Sequence, residues 1–216
     1  MKIGIVTITY NSEKFINPFL RDAFNQTFDN FILYVIDNAS TDSTLHILNV
    51  IKDSRMQVIT NSQNVGVAKG NNQGILKAIK DNCDQVLIMN NDVEFENQVI
   101  EKLLHAQQKN NAALVAPKIL YYNNPDYIWY AGANFNKRKG FLPVHMGIGK
   151  LDHDRFNITQ EVEYAPTCCL LIQKQVFKDI GFMDEKYFVY FDDTDFCYRV
   201  FLHSKHAIYF APNIKF

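Results

Sequence analysis

The sequence predicts an α/β protein built on a single doubly wound, mainly parallel sheet. Three observations carry the prediction. Short apolar runs of β type alternate with stretches whose apolar residues recur at helical spacing. The segments joining the runs are too long for hairpins, and a polar cluster follows each of the first four runs. Strands linked through helices form right-handed βαβ crossovers, and such units stack into a parallel sheet. The chain has 216 residues, 47% hydrophobic and 13% aromatic, enough for one sizeable core.

Taken in order, the β-type runs lie at 3–9, 31–36, 57–60, 85–89 and 113–116. In the first intervening helix Phe15, Phe19, Ala23 and Phe24 fall on one face, with Ser12 as its N-cap. In the second, Leu45, Leu48 and Ile51 share a face, and the third and fourth helices cover 67–80 and 97–108. From residue 117 the rhythm breaks into a Tyr-, Asn- and Gly-containing stretch, read as long loops and irregular strands able to cover a site. Regularity returns with an apolar segment at 167–172, helices at 174–180 and from 193, and a strand at 206–210. The whole, 1–216, reads as one domain, with 1–116 as its first half and 117–216 as its second.

Composition excludes several partners. A formal charge of −1 and the lack of Lys/Arg runs leave no electrostatic reason to bind nucleic acid. Cys83, Cys168, Cys169 and Cys197 form no CxxC pair and sit in apolar segments, as free packing thiols do in a reducing cytoplasm. No run approaches the roughly 18 apolar residues of a membrane span, and the amino-terminal run reads as a strand rather than a signal peptide.

Open α/β sheets bind ligands beyond the carboxyl ends of their strands. "TYN" (Thr9, Tyr10, Asn11), "DNASTD" from Asp37, "NSQNVGVAKGNN" with Asn64, Gly66 and Lys69, and "NND" (Asn90, Asn91, Asp92) all lie at such ends. Turn and cap chemistry explains any one of these loops; four on one rim exceed what turns require. The stretch after strand one contains no glycine, which excludes the usual dinucleotide mode, and Gly66 to Gly70 lack the spacing and Lys-Ser/Thr pair of a P-loop. Those glycines serve either close approach of a ligand or close packing of helix on strand. A second acidic cluster, "YFDDTDF", puts Asp192, Asp193 and Asp195 at the start of a helix beside aromatic residues. Capping accounts for one or two acids there. Repulsion and apolar neighbours raise a carboxylate's pKa, the direction a general base needs.

"IVTITYN", "VIDNASTDST", "NVGVAKGNNQGI", "IMNNDV" and "YFDDTDFCYR", in this order, resemble the family 2 glycosyltransferases of the A-type nucleotide-diphospho-sugar transferase fold, and within them the rhamnosyltransferase-like branch. The resemblance runs from residue 3 to about 212. It implies a nucleotide-diphospho-sugar donor, held over 1–116 by Thr9, Tyr10, Asn11, Asp37, Asn64, Gly66, Lys69, Asn91 and Asp92. It further implies a glycan or lipid-linked glycan acceptor over 117–216. The family's metal-binding DxD corresponds to Asn90-Asn91-Asp92, so Asp92 is the implied ligand of Mg²⁺ or Mn²⁺; an amide replaces the first acid, and metal is expected to bind mainly with the sugar nucleotide. Asp193 is the implied catalytic base, with Asp192 second. Trp129 and Tyr130 are candidate stacking platforms for an acceptor sugar, or else ordinary core. The family commonly places a metal-binding His after a strand like "AIYFAPNIKF"; none follows here before Phe216, which implies a chain truncated at its carboxyl end. His203 and His206 are its only stand-ins near that end.

The resulting expectation is inverting, metal-assisted sugar transfer in the cytoplasm or at the inner face of the membrane, without a membrane span. Two alternatives stand beside it: a nucleotidyltransferase that makes sugar nucleotides, and a non-catalytic nucleotide-binding module.

Overall fold

The computed structural model describes residues 1–203 and 205–216. Its strands are β1 (Ile3–Thr9), β2 (Phe31–Asp37), β3 (Met56–Thr60), β4 (Gln85–Met89), β5 (Leu114–Tyr121), β6 (Asn124–Tyr130), β7 (Ala133–Asn136), β8 (Leu142–His145), β9 (Gln160–Val162), β10 (Cys169–Gln173) and β11 (Ile208–Lys215). The helices are α1 (Ile16–Phe24), α2 (Thr44–Val50), α3 (Val67–Lys80), α4 (Val99–Asn110), α5 (Lys174–Ile180) and α6 (Asp192–His203).

Among the described residues, one sheet runs in the order β3-β2-β1-β4-β10-β5-β11-β9, with β6 paired to β5. β1 to β4 are mutually parallel, and β11 is parallel to β5. Alternate residues of the central strands point to opposite faces, and each face has its own core. On one, Val6, Ile36 and Ile88 pack with Ala68, Ile75 and Ala78 of α3 and with side chains of α5 and α6. On the other, Ile5, Leu33 and Leu87 pack with Phe19 and Leu20 of α1, Leu48 of α2 and Leu103 of α4. Helices cover both faces, as the double winding requires. Every residue of β4 is buried, which explains why Val86 to Met89 form an unbroken apolar run.

Four details differ from the sequence reading. Ser12 does not cap α1 with its side chain; its carbonyl accepts from the N–H groups of Phe15 and Ile16, closing a turn before the helix. The buried face of α1 is Ile16, Phe19, Leu20 and Ala23, and Phe15 is 51% exposed. The stretch after 117 holds regular strands: β5 extends to Tyr121, β6 returns beside it, and β7 and β8 form a separate ribbon. Finally, β10 enters between β4 and β5 and runs antiparallel to both, so the fifth apolar run is not the direct neighbour of the fourth. The two halves of the chain therefore share one sheet.

Candidate active site

The carboxyl ends of β1, β2 and β4 open onto a cavity of about 440 Å³. Its lining includes Tyr10, Asn11, Asn64, Gly66, Asn91 and Asp92. The loops that bring these residues together are cross-linked by their own polar side chains. Asn11, held at φ 52°, accepts from the Thr41 backbone N–H at 2.8 Å, and its own N–H donates to the Ser40 hydroxyl at 2.9 Å. Asn64 accepts from the Gly66 N–H at 2.9 Å and from the Asn38 side chain at 3.2 Å. Asn91 donates to the Ile8 carbonyl, tying the β4 tip to β1. Asn38, which the sequence reading passed over, is the hub: it also donates to the Gly66 carbonyl, accepts from Asn61, and lines the cavity. Its signal lay in the quoted "DNAS" loop, where only the aspartate was singled out.

Three predicted donor residues stand elsewhere. Thr9 and Asp37 are fully buried beneath the rim rather than in the cavity wall. The Thr9 hydroxyl donates to Asp37 at 3.0 Å, and the other carboxylate oxygen accepts from the Ser40 N–H at 3.0 Å, so the pair shapes the loop on which Asn38 sits. Lys69 is half exposed and lies 3.9 Å from Glu185, outside the lining. The two glycines separate by cause. Gly70 faces Ile8, where a Cβ would meet a methyl at 3.0 Å, so it serves helix-on-strand packing. Gly66 has φ +84°, and a Cβ there would meet the Phe188 carbonyl oxygen at 2.5 Å. That carbonyl accepts from the first N–H of α3, at Val67. The segment before α6 is thereby held against the cavity, with Asn72 bonding both backbone groups of Met183.

Asp92 and Asn90 also line a second cavity, of about 970 Å³, whose walls include Phe95, Tyr121, Tyr122, Trp129 and Cys168. Asp92 is exposed where the two cavities meet. Trp129 faces this second space, but Tyr130 does not. It is fully buried, its hydroxyl donating to the Tyr164 carbonyl at 2.8 Å, which makes it core and corrects the expectation of a paired platform. Adjacent strand residues point to opposite faces, so only one of the two can reach the cavity. Cys168, read as packing, lines the cavity as well. Burial, then the charges of Asp92 and Asp193, push its thiol up to about 12. Asp193 itself is in the lining of neither cavity.

The three acids of the second cluster have different surroundings. Asp195 pairs with Arg199 at 2.8 Å, and Arg199 also donates to the carbonyls of Ile180 and Phe182, pinning α6 to the preceding segment. Asp192 is 4% exposed, and burial followed by the neighbouring charge of Asp193 raises its carboxyl to about 6. Asp193 is half-buried and accepts from the Tyr164 hydroxyl at 2.8 Å and from the Thr194 hydroxyl at 3.3 Å. His206 pairs with Asp179 at 2.8 Å and stacks on His203, away from both cavities, so neither histidine stands in for a site ligand.

A divalent cation fits this donor set only in company. Among the described residues no group of three His, Cys, Asp or Glu side chains is arranged to hold one. One exposed carboxylate, Asp92, with the Asn90 amide beside it, suits a hard ion whose other ligands are phosphate oxygens and water.

The fold defines a class first: the chain matches solved A-type glycosyltransferases. S. aureus TarS 1-349 in complex with UDP superposes with a TM-score of 0.71 at 20% identity, over 98% of this chain and 60% of that one. GalNAc-T7 with UDP, GalNAc and Mn²⁺ superposes with a TM-score of 0.78 at 13% identity, over 100% of this chain and 43% of that one. The profile of the family described as Glycosyl transferase family 2 matches residues 4–181, and the chain belongs to that family. Relatives include the low-salt glycan biosynthesis hexosyltransferase Agl10 of Haloferax volcanii, 25% identical over 91% of this chain and 61% of the relative. The dTDP-rhamnosyl transferase RfbF of Shigella flexneri is 25% identical over 99% of this chain and 67% of the relative. The chain therefore spans roughly two thirds or less of the length of these proteins.

Proposed function

We propose that the protein transfers a sugar from a nucleotide-diphosphate donor to a hydroxyl of a glycan or lipid-linked glycan, with inversion and with assistance from Mg²⁺ or Mn²⁺. The carrying observation is that the exposed Asp92 at the tip of β4 lines both cavities, where they meet at the carboxyl ends of the strands. The smaller cavity, with Asn11, Asn64, Gly66 and Asn91 in its lining, suits the nucleotide diphosphate; the larger, with Trp129 and Tyr122, suits the acceptor. Asp193 takes the proton of the acceptor hydroxyl as its oxygen attacks the anomeric carbon, and the bond to the diphosphate breaks with its electron pair leaving on the diphosphate. A single displacement from the opposite side inverts that carbon. Asp92, with its neighbouring amides, would hold the cation, whose chemistry is to neutralise charge on the departing diphosphate.

The exposure of Asp193 against the burial of Asp192 supports the former as base. The names of the relatives support a hexosyl or rhamnosyl donor. Family membership favours transfer over nucleotidyl chemistry. No helix among the described residues is long and apolar enough to cross a membrane, and free cysteines suit the cytoplasm, at the inner membrane face if the acceptor is lipid-linked. Hydrolysis and transfer assays with UDP- and dTDP-sugars and Mn²⁺ test the reading. Asp92→Asn and Asp193→Asn should each lower turnover by about 100-fold or more, the scale of a lost acid–base or metal contribution. Unchanged turnover in either variant would refute its role, and release of pyrophosphate from a nucleoside triphosphate and a sugar 1-phosphate would favour the nucleotidyltransferase.

A further inference from the structure

A carboxylate that removes a proton must present one oxygen to its substrate and stay ionised beside another acid. Asp193 has Asp192 next to it in sequence, the Cys197 thiol one turn further along α6, and the Cys168 thiol across from it; the nearest cation of the helix, Arg199, is committed to Asp195. The group that orients it is Tyr164, which follows β9 and is 5% exposed.

We propose that Tyr164 is a positioning residue for the base, fixing which oxygen of Asp193 meets the acceptor hydroxyl; this rests on Asp193 being the base. The Tyr164 hydroxyl donates to Asp193 Oδ2 at 2.8 Å, leaving Oδ1, among the described residues, with a single 3.3 Å contact from the Thr194 hydroxyl. Oδ1 is therefore the oxygen left for a substrate. The tyrosine cannot move aside. Its backbone N–H donates to the Ala133 carbonyl at 3.1 Å, and its carbonyl accepts from the buried Tyr130 hydroxyl at 2.8 Å. Its ring is packed between those of Phe135 and His145, at centroid distances of 6.3 and 5.5 Å. Burial and the neighbouring carboxylate hold the phenol far above its usual pKa, so it remains a neutral donor and cannot exchange roles with Asp193. A hydrogen bond donated to the ionised form of an acid favours that form. Tyr164, like Asp193, is not in the lining of the smaller cavity, so its loss leaves the donor's own contacts in place.

The test is Tyr164→Phe in the full chain, assayed by Mn²⁺-dependent hydrolysis of whichever UDP- or dTDP-sugar is turned over fastest. The expected result is a fall in kcat of about tenfold or more, an unchanged donor KM, and an acid limb of the kcat profile moved upward by about one pH unit, the scale of one hydrogen bond to a charged group. Tyr34→Phe is the control. It removes another tyrosine-to-aspartate hydrogen bond, 2.9 Å to Asp81, far from the site, and should lower the melting temperature without moving kcat or the profile. If Tyr164→Phe lowers the melting temperature like the control but leaves the pH profile in place, the positioning role is overturned. If Asp193→Asn retains turnover, the base assignment fails first. If Asp193→Asn abolishes turnover while Tyr164→Phe changes neither kcat nor the profile, the inference alone fails.

Discussion

Replacing Asp192 by Asn should make the protein more stable at neutral pH and no more stable in acid. The Asp192 carboxyl is 4% exposed, and its Oδ2 has no hydrogen-bond partner among the described residues. Burial and the charge of Asp193 raise it from 3.8 to about 6, against the opposing pull of the backbone N–H groups of residues 192 and 193. A folded carboxyl that keeps its proton to higher pH than the unfolded one contributes most below about pH 4. That contribution is lost as pH rises from 3.8 toward about 6, and the curve is level beyond. At 1.36 kcal/mol per pH unit, the window amounts to on the order of 3 kcal/mol by neutrality. Asn has the same shape and never ionises, so the variant escapes this loss. At roughly 2–4 °C per kcal/mol for a chain of this size, its melting temperature at pH 7.5 should rise by about 6–12 °C. Urea unfolding of both proteins at intervals from pH 4 to pH 7.5 measures the difference directly. A gain independent of pH, or a loss at neutral pH, would refute the reasoning.

Two further outcomes follow from the packing. Gly66→Ala forces a side chain into the left-handed region and against the Phe188 carbonyl, at a cost of about 1–3 kcal/mol, and should weaken UDP binding measured by calorimetry more than it lowers the melting temperature. Lys118, fully buried on β5, reaches Asp152 at 2.6 Å and the side chain of Asn157; Lys118→Met removes a cation from beside a largely buried carboxylate and should cost about 3–5 kcal/mol in urea unfolding, part of it recovered when Asp152→Asn is added.

Much of the fold could be read directly because parallel strands covered on both faces are continuous apolar runs, and "QVLIM" admits little else. The third helix and α5 have the expected bounds, set by clear helical spacing between polar loops. The ribbon of β7 and β8 was not legible: its strands have four residues each, partly exposed, and alternate too briefly to stand out from loop. Nor was the direction of β10, since an apolar run looks the same whichever way it crosses a sheet. At the site, Asp92 and Asn91 were visible as polar residues ending a buried strand. The contact of Tyr164 with Asp193 was not, because a hydrogen bond between residues 29 apart depends on how β9 and α6 are brought together.

The antiparallel strand between β4 and β5 also has a bearing on synthesis. As the chain leaves the ribosome, the outer edge of β4 stays open until Gln173 has emerged, and at about 5–20 residues per second that delay lasts on the order of ten seconds. For that interval a largely apolar strand presents unpaired backbone groups to the cell, a natural point of engagement for chaperones. The nascent chain can close its central sheet only after residue 173 has been made.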